Sequence, residues 1–474
     1  MASKRDLVEA QSYSRRRLLT AFTSGAPGGR ELEPTKPMRG VVAGVSLTVL
    51  LVLGSLGFGL LSPSLADGWD DQSLVIVDGD GSRYVGIQGT LYPVLNVTSA
   101  RLVLESGSFH VVNVDEDDIA DTPRGPTIGI AGAPDELPPA DRLAATGWSA
   151  CAVPGGGTSL AIGTTEGAES AQDATAGSAG AGAATSVTGS AGAAALVRVA
   201  EVTYLVADGT RHRVPTADET GVLRALGLDT VRPVEVGADW LTLLPAGSDL
   251  APLTVPEGGS PALPSSGLPL DTLVGTVVEV TGAGDAVRRY VVDARGELAP
   301  LSDLAYPLYL LGAGDLAATP LRVTTAEIGD VRTSATAVAP EDWPELVPTP
   351  TPSDVCVRLT GADTVEVVTA APGTSLAPGV HVASGAGALV RAQSVEGAAA
   401  TVSLVDVSGR AYPLPDASDE VLARLGYTAD DVARVPPAWA ALLPTGPTLT
   451  VEAAATEVAS AAAGSTGTAT AGSS

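Results

Sequence analysis

Short runs of Val, Leu and Ile are cut at close intervals by Gly, Pro and Asp along most of this chain. That pattern predicts many short strands joined by tight turns, with few long helices. Four segments share one version of it: RYVGIQGTLYPVL (83–95), TYLVADGTRHRVP (203–215), RYVVDARGELAPL (289–301) and VSLVDVSGRAYPLP (402–415). In each, an apolar run leads to Gly89, Gly209, Gly296 or Gly409. Four residues on stands Pro93, Arg213, Pro300 or Pro413, followed by Val94, Val214, Leu301 or Leu414. A glycine free to take positive φ between two β-prone runs predicts a hairpin. The second and fourth copies match further: Leu223 and Leu226, like Leu422 and Leu425, stand at i, i+3 as in a short helix packing on the hairpin. Trp240 and Trp439 then open W-x-x-L-L-P segments, expected to anchor equivalent small cores.

A larger repeat encloses these copies. The only two cysteines, Cys151 and Cys356, are each followed by the tetrapeptide ALVR (195–198 and 388–391) and then by a hairpin copy. The first and third copies pair through Arg83-Tyr84-Val85 and Arg289-Tyr290-Val291, so the two halves recur about 200 residues apart. Each half holds three further apolar runs: ACAV, TSLAIG and ALVRV in one, VCVRL, TVEVVTA and ALVRA in the other. Three plus three predicts a shared six-stranded sheet with a pseudo-twofold axis. The expected fold is mainly β with short helices (α+β), elongated, with four small repeat domains around a central β domain. The boundaries read as repeat domain 1 over 62–147, the central domain's first half over 148–200 and repeat domain 2 over 201–268. Repeat domain 3 follows over 269–350, the central second half over 351–400 and repeat domain 4 over 401–453. The Gly/Ala/Ser-rich stretches 164–194 and 454–474 lack large apolar residues and read as a disordered loop and tail.

Composition sharpens the picture. Aromatic residues are only 4% against 45% hydrophobic overall, so the cores are built from Val, Leu, Ile and Ala. The net charge of −27 argues against nucleic acid as a partner. That charge is uneven, because residues 1–39 carry eight basic and four acidic side chains. Residues 40–61 carry none, and as a helix they reach about 33 Å against a hydrocarbon core of roughly 30 Å. With the basic excess on its N-terminal side, this run reads as a single transmembrane helix, the N-terminus cytoplasmic and the remainder outside. A cleaved signal peptide ending at Ser64-Leu65-Ala66 is the competing reading, but its apolar core should be ~7–15 residues. Before the span, RDLVEAQSYSRRRLLTAF predicts a short amphipathic helix, suited to a membrane partner or to anionic lipid.

Little chemistry is spelled out. An even cysteine count on the oxidising side of a membrane predicts a Cys151–Cys356 disulfide across the axis, with two buried free thiols as the alternative. Lys4 and Lys36 are the only lysines, so no Walker A motif, which needs a Lys for the phosphates, follows the apolar run. His110, His212 and His381 are isolated, and His212 reads as a surface strand residue. VDEDDIAD (114–121) lacks the EF-hand spacing and reads as a solvated acidic loop. No catalytic, cofactor-binding or metal-ligating set emerges; the residues singled out are the two cysteines and the repeat positions above.

QSYSRRRLLTAF, the apolar run, YVGIQGTLYPVLNVTSARLVL, RGPTIGIAGAPDELP, WSAC around Cys151 and TYLVADGTRHRVP together resemble the EccB family of actinobacterial type VII (ESX) secretion systems. The resemblance runs from Asp6 to about Val451. It implies a structural core subunit of an inner-membrane complex exporting WXG100-type proteins, with a periplasmic part of four repeats around a β domain holding a disulfide. The partners implied are EccC, the motor ATPase, with EccD, EccE, further copies of itself and the lipid bilayer. A cell-wall-binding module is a second reading, since repeated domains suit multivalent attachment. The ATP-hydrolysing activity attached to some family members is a third.

Overall fold

The computed structural model describes residues 4–24, 37–61, 69–163, 187–189, 193–265, 267–282, 287–317, 319–350, 354–371, 376–395, 397 and 399–458. Met1–Ala66 and Asp67–Ser474 form separate units. The first unit holds two helices, α1 (Lys4–Ser24) and α2 (Pro37–Leu61). Side chains of α2 are described at Met38, 40 and 41–55; among the described residues no helix is long and apolar enough to cross a membrane.

The second unit begins with β1 (Ser73–Val77), β2 (Arg83–Ile87), β3 (Thr90–Pro93), α3 (Val97–Val103) and β4 (His110–Val114). Next come β5 (Ser149–Ala152), β6 (Thr158–Ile162) and the short β7 (Val187–Gly189). The second repeat is β8 (Ala194–Val199), β9 (Val202–Ala207), β10 (Thr210–Val214), α4 (Glu219–Ala225), β11 (Val234–Glu235) and α5 (Ala238–Leu241). The third is β12 (Val277–Thr281), β13 (Val287–Val292), β14 (Leu298–Leu301), α6 (Ala305–Ala313) and β15 (Leu321–Thr324). After β16 (Val355–Leu359), β17 (Val365–Ala370) and β18 (Gly379–Val382) comes the fourth. It comprises β19 (Ala388–Ala392), β20 (Val402–Val405), β21 (Ala411–Leu414), α7 (Asp419–Leu425), β22 (Ala433–Val435) and α8 (Pro437–Ala440), and α9 (Val451–Ala455) follows.

All four repeats share one topology. The sheets run β3-β2-β1-β4, β10-β9-β8-β11, β14-β13-β12-β15 and β21-β20-β19-β22. In each, the first strand pairs antiparallel with the second and parallel with the last, so the helix carries the chain from the third strand at one edge to the last strand at the other, beside the first. The expected hairpins are the second and third strands of each repeat in chain order. Gln88-Gly89 and Asp208-Gly209 both take positive φ, the two-residue turn whose twist matches the flanking strands. The third and fourth copies use longer loops, in which Asp293 and Asp406 accept backbone N–H bonds from Arg295 and Glu297, and from Ser408 and Arg410.

A closing segment then clasps the third strand identically in each repeat. The amides of Leu91, Arg211, Leu298 and Ala411 donate to the carbonyls of Pro123, Pro245, Arg332 and Pro444. Those of Gly125, Gly247, Ser334 and Gly446 donate back. The glycines make room for a ring on the next strand residue. A Cβ on Gly446 would lie 2.5 Å from Tyr412 and one on Gly247 2.6 Å from His212, while Gly125 faces Tyr92 in the same way. Where the ring is replaced by Ala299, the glycine is replaced by Ser334. His212 is therefore buried, not a surface residue: it is 1% exposed, and its Nδ1 lies 3.0 Å from the Ser248 carbonyl.

The repeats pair through their helices. Leu223, Leu226, Leu304, Leu308 and Tyr309 build one core between the second and third. There the Ser248 amide donates to Asp342 (2.6 Å); burial, the largest influence, acts to raise the Asp342 carboxyl, but the bonds from Ser248, with its own backbone amide and the nearby His212, together hold it below the usual range. Leu102, Leu422, Leu425 and Leu449 build another between the first and fourth. Two arginines cross this second junction reciprocally: Arg101 donates to the Leu425 carbonyl (3.3 Å) and Arg424 to that of Leu102 (2.7 Å). Each cation thus meets the negative end of the opposite helix.

Two boundaries differ from expectation. The ALVR strands do not lie in the central sheet: β8 and β19 are the first strands of the second and fourth repeats, which therefore begin before 201 and 401. The tail expected from 454 is ordered through 458, with Thr450 capping α9 and Ala454 buried. Most of the 164–194 loop and residues 459–474 lie outside the described residues, although β7 falls within that loop.

Candidate functional site

The element joining the two halves is the six-stranded sheet β18-β6-β5-β16-β17-β7. Its middle four strands obey the expected pseudo-twofold, with β5 and β16 antiparallel at the axis and β6 and β17 outside them. The outer strands are exchanged: β18, from the second half, pairs with β6 of the first, and β7, from the first half, with β17 of the second. The symmetry breaks at these edges, since β18 runs parallel to its neighbour and β7 antiparallel.

Cys151 and Cys356 face each other across the axis and are disulfide-bonded, with a Cα separation of 3.9 Å. Both are fully buried, on one face with Val368 and Ala370. Strand alternation places Arg358 on this face too, paired with Glu366 at 3.3 Å. The opposite face carries Ala150, Leu160, Val355, Val357 and Val367, and it receives both Trp240 and Trp439. The tryptophans do not anchor separate small cores; they share this one, together with Trp148. Trp240 Nε1 donates to the Ala150 carbonyl at 2.9 Å, whereas Trp439 Nε1 has no partner among the described residues. The repeat hairpins also seat here, for a Cβ on Gly209 would strike the Val365 carbonyl and one on Gly409 would lie 2.6 Å from Val380.

The remaining positions singled out in the sequence serve the repeats. Gly89, Gly209, Gly296 and Gly409 all have positive φ. Pro93, Arg213, Pro300 and Pro413 present carbonyls to the amides of Ile128, Leu250, Val338 and Leu449. The acidic run forms a turn of 3-10 helix (Glu116–Ile119) whose Ile119 is buried, and among the described residues no His, Cys, Asp and Glu side chains group to hold a metal ion. The three histidines are far apart in the fold, on β4, β10 and β18. The clasping glycines were missed in the sequence; the shared L-L-P-x-G ending at Gly247 and Gly446 was the available signal.

Fold and site together define a duplicated, repeat-built scaffold whose halves are stapled at a common sheet. The chain matches the family model described as "Type VII secretion system ESX-1, transport TM domain B" over residues 1–364 and 354–463, and it belongs to that family. It is 31% identical over 283 residues to the ESX-5 secretion system ATPase EccB5 of Mycobacterium tuberculosis H37Rv, covering 58% of this chain and 53% of that protein. To the ESX-2 secretion system ATPase EccB2 of the same strain it is 29% identical over 378 residues, covering 76% and 70%. The match thus spans about half the length of EccB5. Among solved structures, a chain of an intact ESX-5 inner membrane complex aligns with TM-score 0.63 at 24% identity, over 97% of this chain and 96% of that one. The EccB3 dimer from the ESX-3 core complex aligns with TM-score 0.61 at 25% identity, over 81% and 99%.

Proposed function

We propose that this chain is a non-enzymatic scaffold subunit of a type VII secretion membrane complex, anchored by α2 with its N-terminus cytoplasmic and its repeats outside. The observation that carries the reading is the disulfide-stapled sheet on which the second and fourth repeats seat, because it turns a duplicated chain into one body. A buried disulfide persists in an oxidising compartment, in keeping with the charge-based orientation. Relatives are titled as parts of inner membrane and periplasmic assemblies, and one as a dimer, which favours self-association and contact with other core subunits. The family description itself includes a TM domain. Energy for export would come from a partner motor. An elongated arrangement of the repeats belongs to the same reading, and solution scattering from the extracytoplasmic part tests it.

The experiment is purification of the tagged full chain from membranes of a cell carrying the whole secretion locus. Co-purifying core subunits and substrate export lost on deletion support a scaffold; a chain isolated alone, with export intact, refutes it. The ATPase reading rests on the names of relatives. Hydrolysis by the purified chain that survives removal of all other subunits would establish it, and Lys4→Ala with Lys36→Ala would show whether either lysine takes part.

A further inference from the structure

The helix α1 has a use that the scaffold role leaves unassigned. It is continuous over Lys4–Ser24 and its described side chains are exposed. At 100° per residue, Leu7, Leu18 and Phe22 fall on one stripe, with Val8 and Leu19 beside it and Ala10 and Ala21 on its other side. Leu7 and Leu18 are 63% and 62% exposed and Phe22 is 91% exposed. Arg17 borders this arc on one side and Arg5 and Arg16 on the other. Lys4 and Arg15 lie within it, on stems long enough to lift their charges clear of an apolar layer, and Gln11 and Ser14 interrupt the stripe. Five basic residues stand against Asp6 and Glu9 in the helix, and Lys36 and Arg39 follow toward α2.

We infer that α1 lies flat on the cytoplasmic leaflet, its Leu7–Leu18–Phe22 stripe among the acyl chains and its arginines on anionic headgroups. Charge complementarity selects this occupant. A helix burying its stripe in a protein groove has no need of cations on both borders, whereas an interfacial helix on anionic lipid is bordered in that way. Only residues 25–36 separate α1 from α2, which keeps it within reach of the bilayer. The choice of the cytoplasmic leaflet rests on the reading of α2 as an anchor; the contact of α1 with anionic lipid does not.

The test uses the full chain carrying Phe22→Trp, reconstituted into phosphatidylcholine vesicles with or without phosphatidylglycerol, with brominated acyl chains as quencher and the unsubstituted chain as background. That background comes chiefly from the half-buried Trp69, because Trp148, Trp240, Trp343 and Trp439 are buried. Quenching of the added tryptophan is expected in anionic vesicles and reduced in neutral ones. It should weaken as salt rises from about 0.1 M to about 1 M, where screening shortens from ~10 to ~3 Å, and vanish with Arg15→Glu plus Arg17→Glu. Alkaline extraction of the same vesicles reports on the anchor separately. A chain that resists extraction but shows no anionic-lipid quenching overturns the inference and leaves the anchor standing. Quenching in a chain that alkali releases supports the inference and removes the anchor. Protection of the tryptophan only when an acidic partner subunit is present overturns the lipid assignment in favour of a protein.

Discussion

Gly446→Ala should destabilise the fourth repeat for want of room alone. Gly446 has an ordinary backbone conformation, so the new methyl meets no dihedral penalty. Its Cβ would, however, sit 2.5 Å from Cε1 and 2.6 Å from Cδ1 of Tyr412. That ring is 4% exposed and tied by its hydroxyl to Asp406 at 3.1 Å, so it cannot swing away freely. Overpacking of this kind costs about 1–3 kcal/mol. Tyr412→Ala alone should cost about 3–5 kcal/mol through the cavity it leaves. The double variant recreates what the third repeat already has, a small strand residue beside a residue with a Cβ, Ala299 with Ser334. Its cost should therefore fall below the sum of the singles by about 0.5–3 kcal/mol. Native-state hydrogen exchange of peptides covering 402–450 isolates this repeat, each 1.4 kcal/mol reading as about a tenfold loss of protection. Strict additivity, or an unaffected Gly446→Ala, would refute the idea that glycine is present to admit the ring.

Other expectations follow from the same geometry. Trp240→Phe should cost about 1 kcal/mol more than Trp439→Phe in denaturant unfolding, because only Trp240 gives up a hydrogen bond, to Ala150; equal losses would contradict this. Cys151→Ser, Cys356→Ser and the double variant should lose similar stability, up to about 4–5 kcal/mol for a loop this long, and reductant should leave them unchanged. A reduced wild type as stable as the oxidised one would count against the staple. Burial pushes the Tyr309 hydroxyl up to about 12, and burial with the Asp406 carboxylate does the same to Tyr412. The folded state therefore holds these protons more tightly than the unfolded chain, whose tyrosines ionise near 10. Their contribution is complete below pH ~10 and is lost as pH rises toward about 12. Tyr412→Phe should blunt the alkaline decline in melting temperature.

What could be read from the chain was what is decided locally. The glycines at 89, 209, 296 and 409 mark turns because positive φ is a property of the turn itself. Cys151 and Cys356 fell at equivalent points of a duplication visible in letters alone. ALVR was misplaced because its strands are mostly buried, and an apolar run does not say which sheet it joins. The exchanged outer strands were missed for a related reason. Gly379–Val382 is four residues long, and Val187–Gly189 lies in a low-complexity run, so neither has a pattern until its neighbour exists. His212 looked exposed between Arg211 and Arg213, both of which reach out to partners while the ring turns in toward Gly247.

The reciprocal arginines between α3 and α7 set an order of events during biogenesis. The first repeat emerges earliest, yet Leu102 is buried against Leu389, Leu422 and Leu449, from the last fifth or so of the folded chain. Until those residues arrive, its helix must wait with an uncovered apolar face and with Arg101 held only by its stacking on Phe109. A chain interrupted before about residue 455 would leave that face open for good. The earliest-made repeat is thus the one that reports whether the fourth repeat has been made, and a product truncated before it presents itself to quality-control proteases at the first repeat.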